Sequence, residues 1–115
     1  MRVAVSAAGE SPDSLVHSQF GRCAWFIIFE EGKENVRALC NPYAEVETGA
    51  GIGCAQDLIQ EEVKAVIARQ VGPKAYEVLS KAGIEIYLAP PDVSAQDVYR
   101  RFLSGKLPKM EIKTF

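Results

Sequence analysis

The sequence predicts an α/β domain built on a mixed five-stranded sheet with helices on both faces. Three observations carry this. Short β-branched or aromatic runs alternate with segments whose apolar residues recur at helical spacing. A tight polar turn, Glu31-Gly32-Lys33, joins two of the strand-like runs, which forces an antiparallel pair. Two successive strand–helix units then follow, and these require parallel neighbours joined by a crossover.

Arg2 to Ser6 reads as a first strand, with β-branched Val3 and Val5. Ala7 to Ser14 holds Gly9, Pro12 and Asp13 and reads as loop. Trp25 to Glu30 (Trp-Phe-Ile-Ile-Phe-Glu) is apolar and aromatic enough for a buried strand, and Asn35 to Asn41 is its returning partner. Pro42, lacking an amide hydrogen, ends that strand. Glu45 to Gly53 reads as a glycine-punctuated loop feeding a helix through Glu62, with Ala55, Leu58, Ile59 and Val63 as its apolar positions.

Lys64 to Arg69 contains a buried strand, and Gly72-Pro73 opens a helix with proline at its first position. Ala75, Val78, Leu79 and Ala82 form that helix's inner face, and Gly83 ends it. Ile84 to Ala89 is the last strand, closed by Pro90-Pro91. Asp92 or Ser94 caps a final helix with Ala95, Val98, Tyr99, Phe102 and Leu103 on one stripe, ending at Gly105. Residues 1–105 thus make one domain, and 106–115 read as a C-terminal tail.

At 115 residues, 48% hydrophobic and 24% charged, the chain has the makeup of one ordinary globular domain. Its formal charge of −2 and scattered Lys and Arg give no basic stripe for a nucleic acid. No apolar run approaches the ~18 residues of a membrane span. The start, Met1-Arg2-Val3-Ala4-Val5, lacks the long apolar core of an export signal. Three cysteines, Cys23, Cys40 and Cys54, are an odd number without C-x-x-C spacing, which favours free thiols in a reducing cytoplasm over disulfides.

Three segments stand out by order and spacing. They are Ser18-Gln19-Phe20-Gly21-Arg22, then Gly49-Ala50-Gly51-Ile52, then Gly72-Pro73-Lys74-Ala75-Tyr76-Glu77-Val78-Leu79 with Ala82-Gly83-Ile84 after it. From Met1 to about Leu103 the chain resembles the dinitrogenase iron-molybdenum cofactor biosynthesis family, the small carriers and chaperones of nitrogenase cofactor precursors. That resemblance implies a ribonuclease-H-like sheet of order 3-2-1-4-5 with strand 2 antiparallel. It also implies binding of an iron–sulfur or molybdenum/iron-containing cluster, with cluster donor or acceptor proteins as partners. Two positions depart from the family. Gln19 and Thr48 stand where a histidine often precedes Phe-Gly-Arg and Gly-Ala-Gly, and neither replaces imidazole as a soft-metal ligand.

The candidate cofactor-binding residues are Cys23, Cys54, Arg22, His17, Gly49 and Gly51, with Cys23 and Cys54 as the candidate metal ligands. Cys54 falls in the first turns of the helix after the glycine loop, where backbone dipoles lower a thiol's pKa. Cys23 follows Arg22, a cation that also favours thiolate. Each is equally readable as small core filler. Cys40, late in its strand on the face of Val36 and Ala38, reads as filler shielded by the sheet. His17, the only histidine, lies in a loop and is available as ligand or proton carrier, or is a surface residue without a role. Arg22 pairs either with an anionic cluster or with neighbouring carbonyls. Phe20 reads as an anchor. Gly49, Gly51 and Gly53 either cradle an anion or permit a tight turn with close helix–sheet packing. Gly72-Pro73 is assigned no chemistry.

If the carrier reading holds, the loops His17–Cys23 and Glu47–Cys54 come together at one end of the sheet, which the topology permits, because one leads into strand 2 and the other leaves strand 3. Cys23 and Cys54 are expected to be partly exposed there. No catalysis is expected. A nuclease needs several carboxylates at the sheet centre, but strand 1 has none, and Asp57 and Glu61 lie on a helix where exposure explains them. A metallocluster carrier is therefore the first reading, and a metal-free protein-interaction module of the same fold is the alternative.

Overall fold

The computed structural model describes residues 1–34 and 36–111. The chain opens with strand β1 (Arg2–Ala7) and reaches a short 3-10 turn at Phe20–Arg22 before the hairpin of β2 (Trp25–Glu30) and β3 (Val36–Cys40). Helix α1 (Ala50–Gln60), strand β4 (Val63–Ala68), helix α2 (Pro73–Lys81), strand β5 (Glu85–Leu88) and helix α3 (Ala95–Leu103) complete it. The strands form one sheet in the order β3-β2-β1-β4-β5. β2 runs antiparallel to both its neighbours, while β1, β4 and β5 are mutually parallel. This is the ribonuclease-H-like topology that the family resemblance implies, with β1 at the centre. Asn35, read as the first residue of the returning strand, and residues 112–115 of the tail lie outside the described residues.

The burial of each strand follows from its place. β1 is buried from Val3 to Ala7 because helices cover both faces, which is why it reads as unbroken small and β-branched residues. Ala4, Phe26, Ile28, Val66 and Ile86 point into one core with Cys54, Ala55 and Leu58 of α1 and Ala75 and Leu79 of α2. Val3, Val5, Ile27, Phe29 and Ile67 point into the other, beneath Ala95 and Val98 of α3. Phe29 stacks on Tyr99 at a centroid distance of 4.2 Å, which holds α3 across the sheet. Ser94 caps α3, its Oγ accepting from the Asp97 amide at 3.1 Å.

Several boundaries differ from the sequence reading. The glycine run read as loop through Gly53 is helical from Ala50 onward, entered through left-handed Gly49 at φ 79°. The helix tolerates Gly51 and Gly53 because neighbours occupy the space a side chain would fill. A Cβ on Gly51 would lie 3.1 Å from Cβ of Ala75, and one on Gly53 would lie 2.6 Å from the Tyr43 ring. α1 ends at Gln60, so Val63 belongs to β4 and Ile59 is exposed. Ala82 is exposed beyond the end of α2, and Leu103 is half exposed at the end of α3. The stretch from Lys106 does not stand apart: the Leu88 amide donates to Pro108 O and the Met110 amide to Ile86 O, so it covers the outer edge of β5.

Candidate functional site

At the end of the sheet where β1 and β4 finish, three stretches enclose a cleft of about 650 Å³. They are Gln19–Arg22, Gly49–Ile52 and Gln70–Ala75. The sheet order produces this convergence. The first stretch leads toward β2, the second opens α1 after β3, and the third follows β4, so all three cross the same sheet end. Phe20 is buried beneath the cleft and packs on Phe26 at 5.4 Å, anchoring the first stretch as expected. Its amide also donates to Gln70 O at 2.9 Å, tying the first stretch to the third.

The walls meet closely. A Cβ on Gly21 would come within 2.8 Å of the Gly51 amide nitrogen, so the two backbones touch where side chains would keep them apart. Both α1 and α2 start at the cleft, and both begin on a glycine (Gly49 and Gly72) with no side-chain cap and no acid in the first turn. The first-turn amides of Ala50, Gly51, Ile52, Lys74 and Ala75 have no acceptor inside their own helices, as helix geometry dictates. Two positive helix ends therefore face one space. No Asp or Glu lines it, but Arg22 and Lys74 do. Lys74 sits in the first turn of α2, where the helix dipole disfavours a cation.

Arg22 extends over the segment after β3. Its Nη1 donates to Val46 O and to Ala44 O at 3.4 Å, and its Nη2 donates to Glu47 O at 3.3 Å. Of the two roles read for it, carbonyl capping is thus present in the fold. Carbonyls occupy the guanidinium's donors without neutralising its charge, so the cleft wall stays positive.

Cys23 and Cys54 lie on the same side of the sheet in one core. Both are buried, Cys23 at 0% and Cys54 at 1% exposure, which corrects the expectation of partial exposure. Burial pushes each thiol up to about 12, and for Cys23 a charge on Cys54 would add to the effect. The Arg22 charge, expected from sequence to act on Cys23, instead pulls Cys54 down, and desolvation outweighs it. Cys54 Sγ lies 3.1 Å from Oδ1 of Asn41, which only accepts, so the thiol donates and keeps its proton. Cys40 is exposed, not shielded, because β3 is an edge strand and only Leu39 of its last residues turns toward the α1–α2 core.

His17 is half-buried and outside the cleft lining, its Nδ1 accepting from the Gln19 amide at 3.0 Å. Gly49 and Gly51 line the cleft. Gly72-Pro73, read from sequence only as a helix start, lines it too, and the reading missed Lys74, Gln70 and Ile52. It also missed Asn41, 5% exposed below the cleft floor, whose only sequence signal is its place between a strand and Pro42. Among the described residues no group of three or more His, Cys, Asp or Glu side chains gathers to hold a metal ion. No helix among them is long and apolar enough to cross a membrane.

The fold is thus a mixed α/β sheet with an acid-free cleft at two helix N-termini. Residues 1–105 match the dinitrogenase iron-molybdenum cofactor family, and the chain belongs to it. An uncharacterized protein of Methanocaldococcus jannaschii is 36% identical over 95 residues, covering 80% of each chain. Among solved structures, the apo form of the orange protein from Desulfovibrio gigas superposes with a TM-score of 0.90 at 32% identity, over 95% of this chain and 92% of that one. A Thermotoga protein of NifB type, solved by NMR, gives 0.84 at 29% identity over 99% and 97%.

Proposed function

We propose that the chain receives and carries a preformed anionic metal–sulfur cluster of the iron-molybdenum cofactor type, and that it carries out no bond-making of its own. The observation that carries this reading is the acid-free cleft between two uncapped helix N-termini, with Arg22 and Lys74 in its wall. An anion there accepts hydrogen bonds from first-turn amides and meets both positive helix ends. The apolar side chains of Ile52, Val71 and Pro73 suit a large, weakly hydrated, sulfide-rich anion better than a compact oxyanion that holds its water.

Membership of the family and the likeness to a protein solved in an apo form support a cargo of this class. The cargo is held from outside its coordination sphere, since Cys23 and Cys54 are buried and protonated and cannot serve as thiolate ligands in this fold. His, Cys, Asp, Glu, Ser, Thr and Tyr are all missing from the lining, which supports carriage over catalysis. Partners on this reading are the proteins that build the cluster and those that accept it.

Anaerobic incubation with a preformed anionic iron–molybdenum–sulfide cluster, followed by desalting and metal analysis, tests the reading. Retained metal with visible charge-transfer absorption, lost in Lys74→Glu and at high salt, is expected. A colourless, metal-free chain would overturn it and leave the metal-free interaction module in front.

A further inference from the structure

Beneath the cleft, one side chain joins three segments of the chain. Asn41 Nδ2 donates to Cys23 O at 2.8 Å and to Gly21 O at 3.2 Å. Its Oδ1 accepts from the Tyr43 amide at 2.9 Å and from Cys54 Sγ at 3.1 Å. The orientation of the carboxamide is fixed by its partners, since carbonyls only accept and the Tyr43 N–H only donates. Every hydrogen-bonding position on the group is thereby used. The partners are not equivalent bystanders: Gly21 is cleft wall, Cys54 is one turn into the helix whose first residues form the facing wall, and Tyr43 leads into the segment that Arg22 grips.

We propose that Asn41 is a positioning residue that sets the separation of the Gly21 and Gly51 walls, and that Cys54 serves it as a hydrogen-bond donor, not the cargo as a ligand. The inference rests on the carrier reading for its purpose, though not for its geometry. Gly21 and Gly51 leave no room for even a Cβ between them, so a rotated carboxamide beneath Gly21 disturbs a close-packed contact. An aspartate at position 41 cannot donate to either carbonyl and sets a charge against two carbonyl oxygens. A serine at position 54 keeps a donor for Oδ1, and an alanine does not.

The experiment has two arms on the full chain. In the first, without any anion, backbone amide NMR compares the parent with Asn41→Asp, Cys54→Ser and Cys54→Ala. The Gly21, Gly49 and Gly51 resonances are expected to move in Asn41→Asp and Cys54→Ala, while those of α3 stay in place. In the second, tetrathiomolybdate is titrated and affinity is computed per folded molecule. Asn41→Asp and Cys54→Ala are expected to weaken binding by about tenfold or more, and Cys54→Ser by no more than about threefold.

Unmoved cleft amides in Asn41→Asp would overturn the positioning role, whatever the parent binds. Equal loss in Cys54→Ser and Cys54→Ala would overturn the donor role and favour ligation. A parent that ignores tetrathiomolybdate while its variants still shift the cleft amides overturns the cargo, not the positioning.

Discussion

Gly21 and Gly51 meet backbone to backbone, with room for no side chain between them: a Cβ on Gly21 would fall 2.8 Å from the Gly51 nitrogen and 3.1 Å from its Cα. Gly21→Ala must therefore part the 3-10 turn from α1. A destabilisation of about 1–3 kcal/mol is expected, the usual cost of overpacking, read as a lowered urea midpoint with unchanged slope. Loss of retained metal–sulfur anion should accompany it even in conditions where the variant is fully folded.

The two buried thiols predict a pH limit on stability. Each is raised from 9.0 to about 12 in the fold. A raised pKa means the folded state holds its protons more tightly than the unfolded chain. The corresponding stability is fully present below about pH 9 and is lost as pH climbs toward 12. Urea midpoints measured from pH 7.5 to 10.5, as an experimental range of about three units, should fall at the alkaline end. They should fall less in Cys23→Ala, which lacks one of the titrating groups.

Thiol accessibility separates the three cysteines without any cargo. A bulky maleimide added to the native chain should label Cys40 and spare Cys23 and Cys54, which react only on unfolding. Rapid native labelling of Cys54 would contradict its burial. Cys40→Ala should change stability by no more than about 0.5 kcal/mol, as for an exposed site.

Ser94→Ala removes the one side-chain cap observed on the three α-helices, where Oγ accepts from the Asp97 amide. A loss of about 1 kcal/mol is expected by chemical denaturation. Cargo binding at the starts of α1 and α2, across the sheet from α3, should be unaffected, which makes this variant a control for stability alone.

Much of the architecture was legible because its causes are local. Trp25–Glu30 could be placed to the residue, since an apolar aromatic run next to a Gly turn has few other uses. The sheet order was legible only through the family resemblance, because nothing in β1 itself announces which strands flank it. The start of α1 was misread for a physical reason. Glycine normally breaks helices, and only the fold reveals that Ala75 and Tyr43 fill the places of the missing side chains. The site was half legible. The Phe-Gly-Arg and glycine segments marked two walls, but α2's N-terminus as a third wall depends on long-range packing. Burial of Cys23 and Cys54 reversed the expected effect of helix dipole and Arg22, since desolvation is a tertiary quantity that no spacing encodes. Cys40 erred the other way, because edge and interior strands share one alternation pattern.

The three walls of the cleft come from residues 19–22, 49–52 and 70–75, stretches far apart in the chain. No fragment that stops before α2 contains all three walls, so on the carrier reading an incomplete nascent chain has no complete cleft with which to capture an anion. On the carrier reading, possession of cargo thereby certifies that the chain has folded at least through the start of α2. On the carrier reading, cargo at a hundredfold excess over its dissociation constant adds about 2.7 kcal/mol to the stability of the folded chain, so the filled protein outlasts the empty one against proteases.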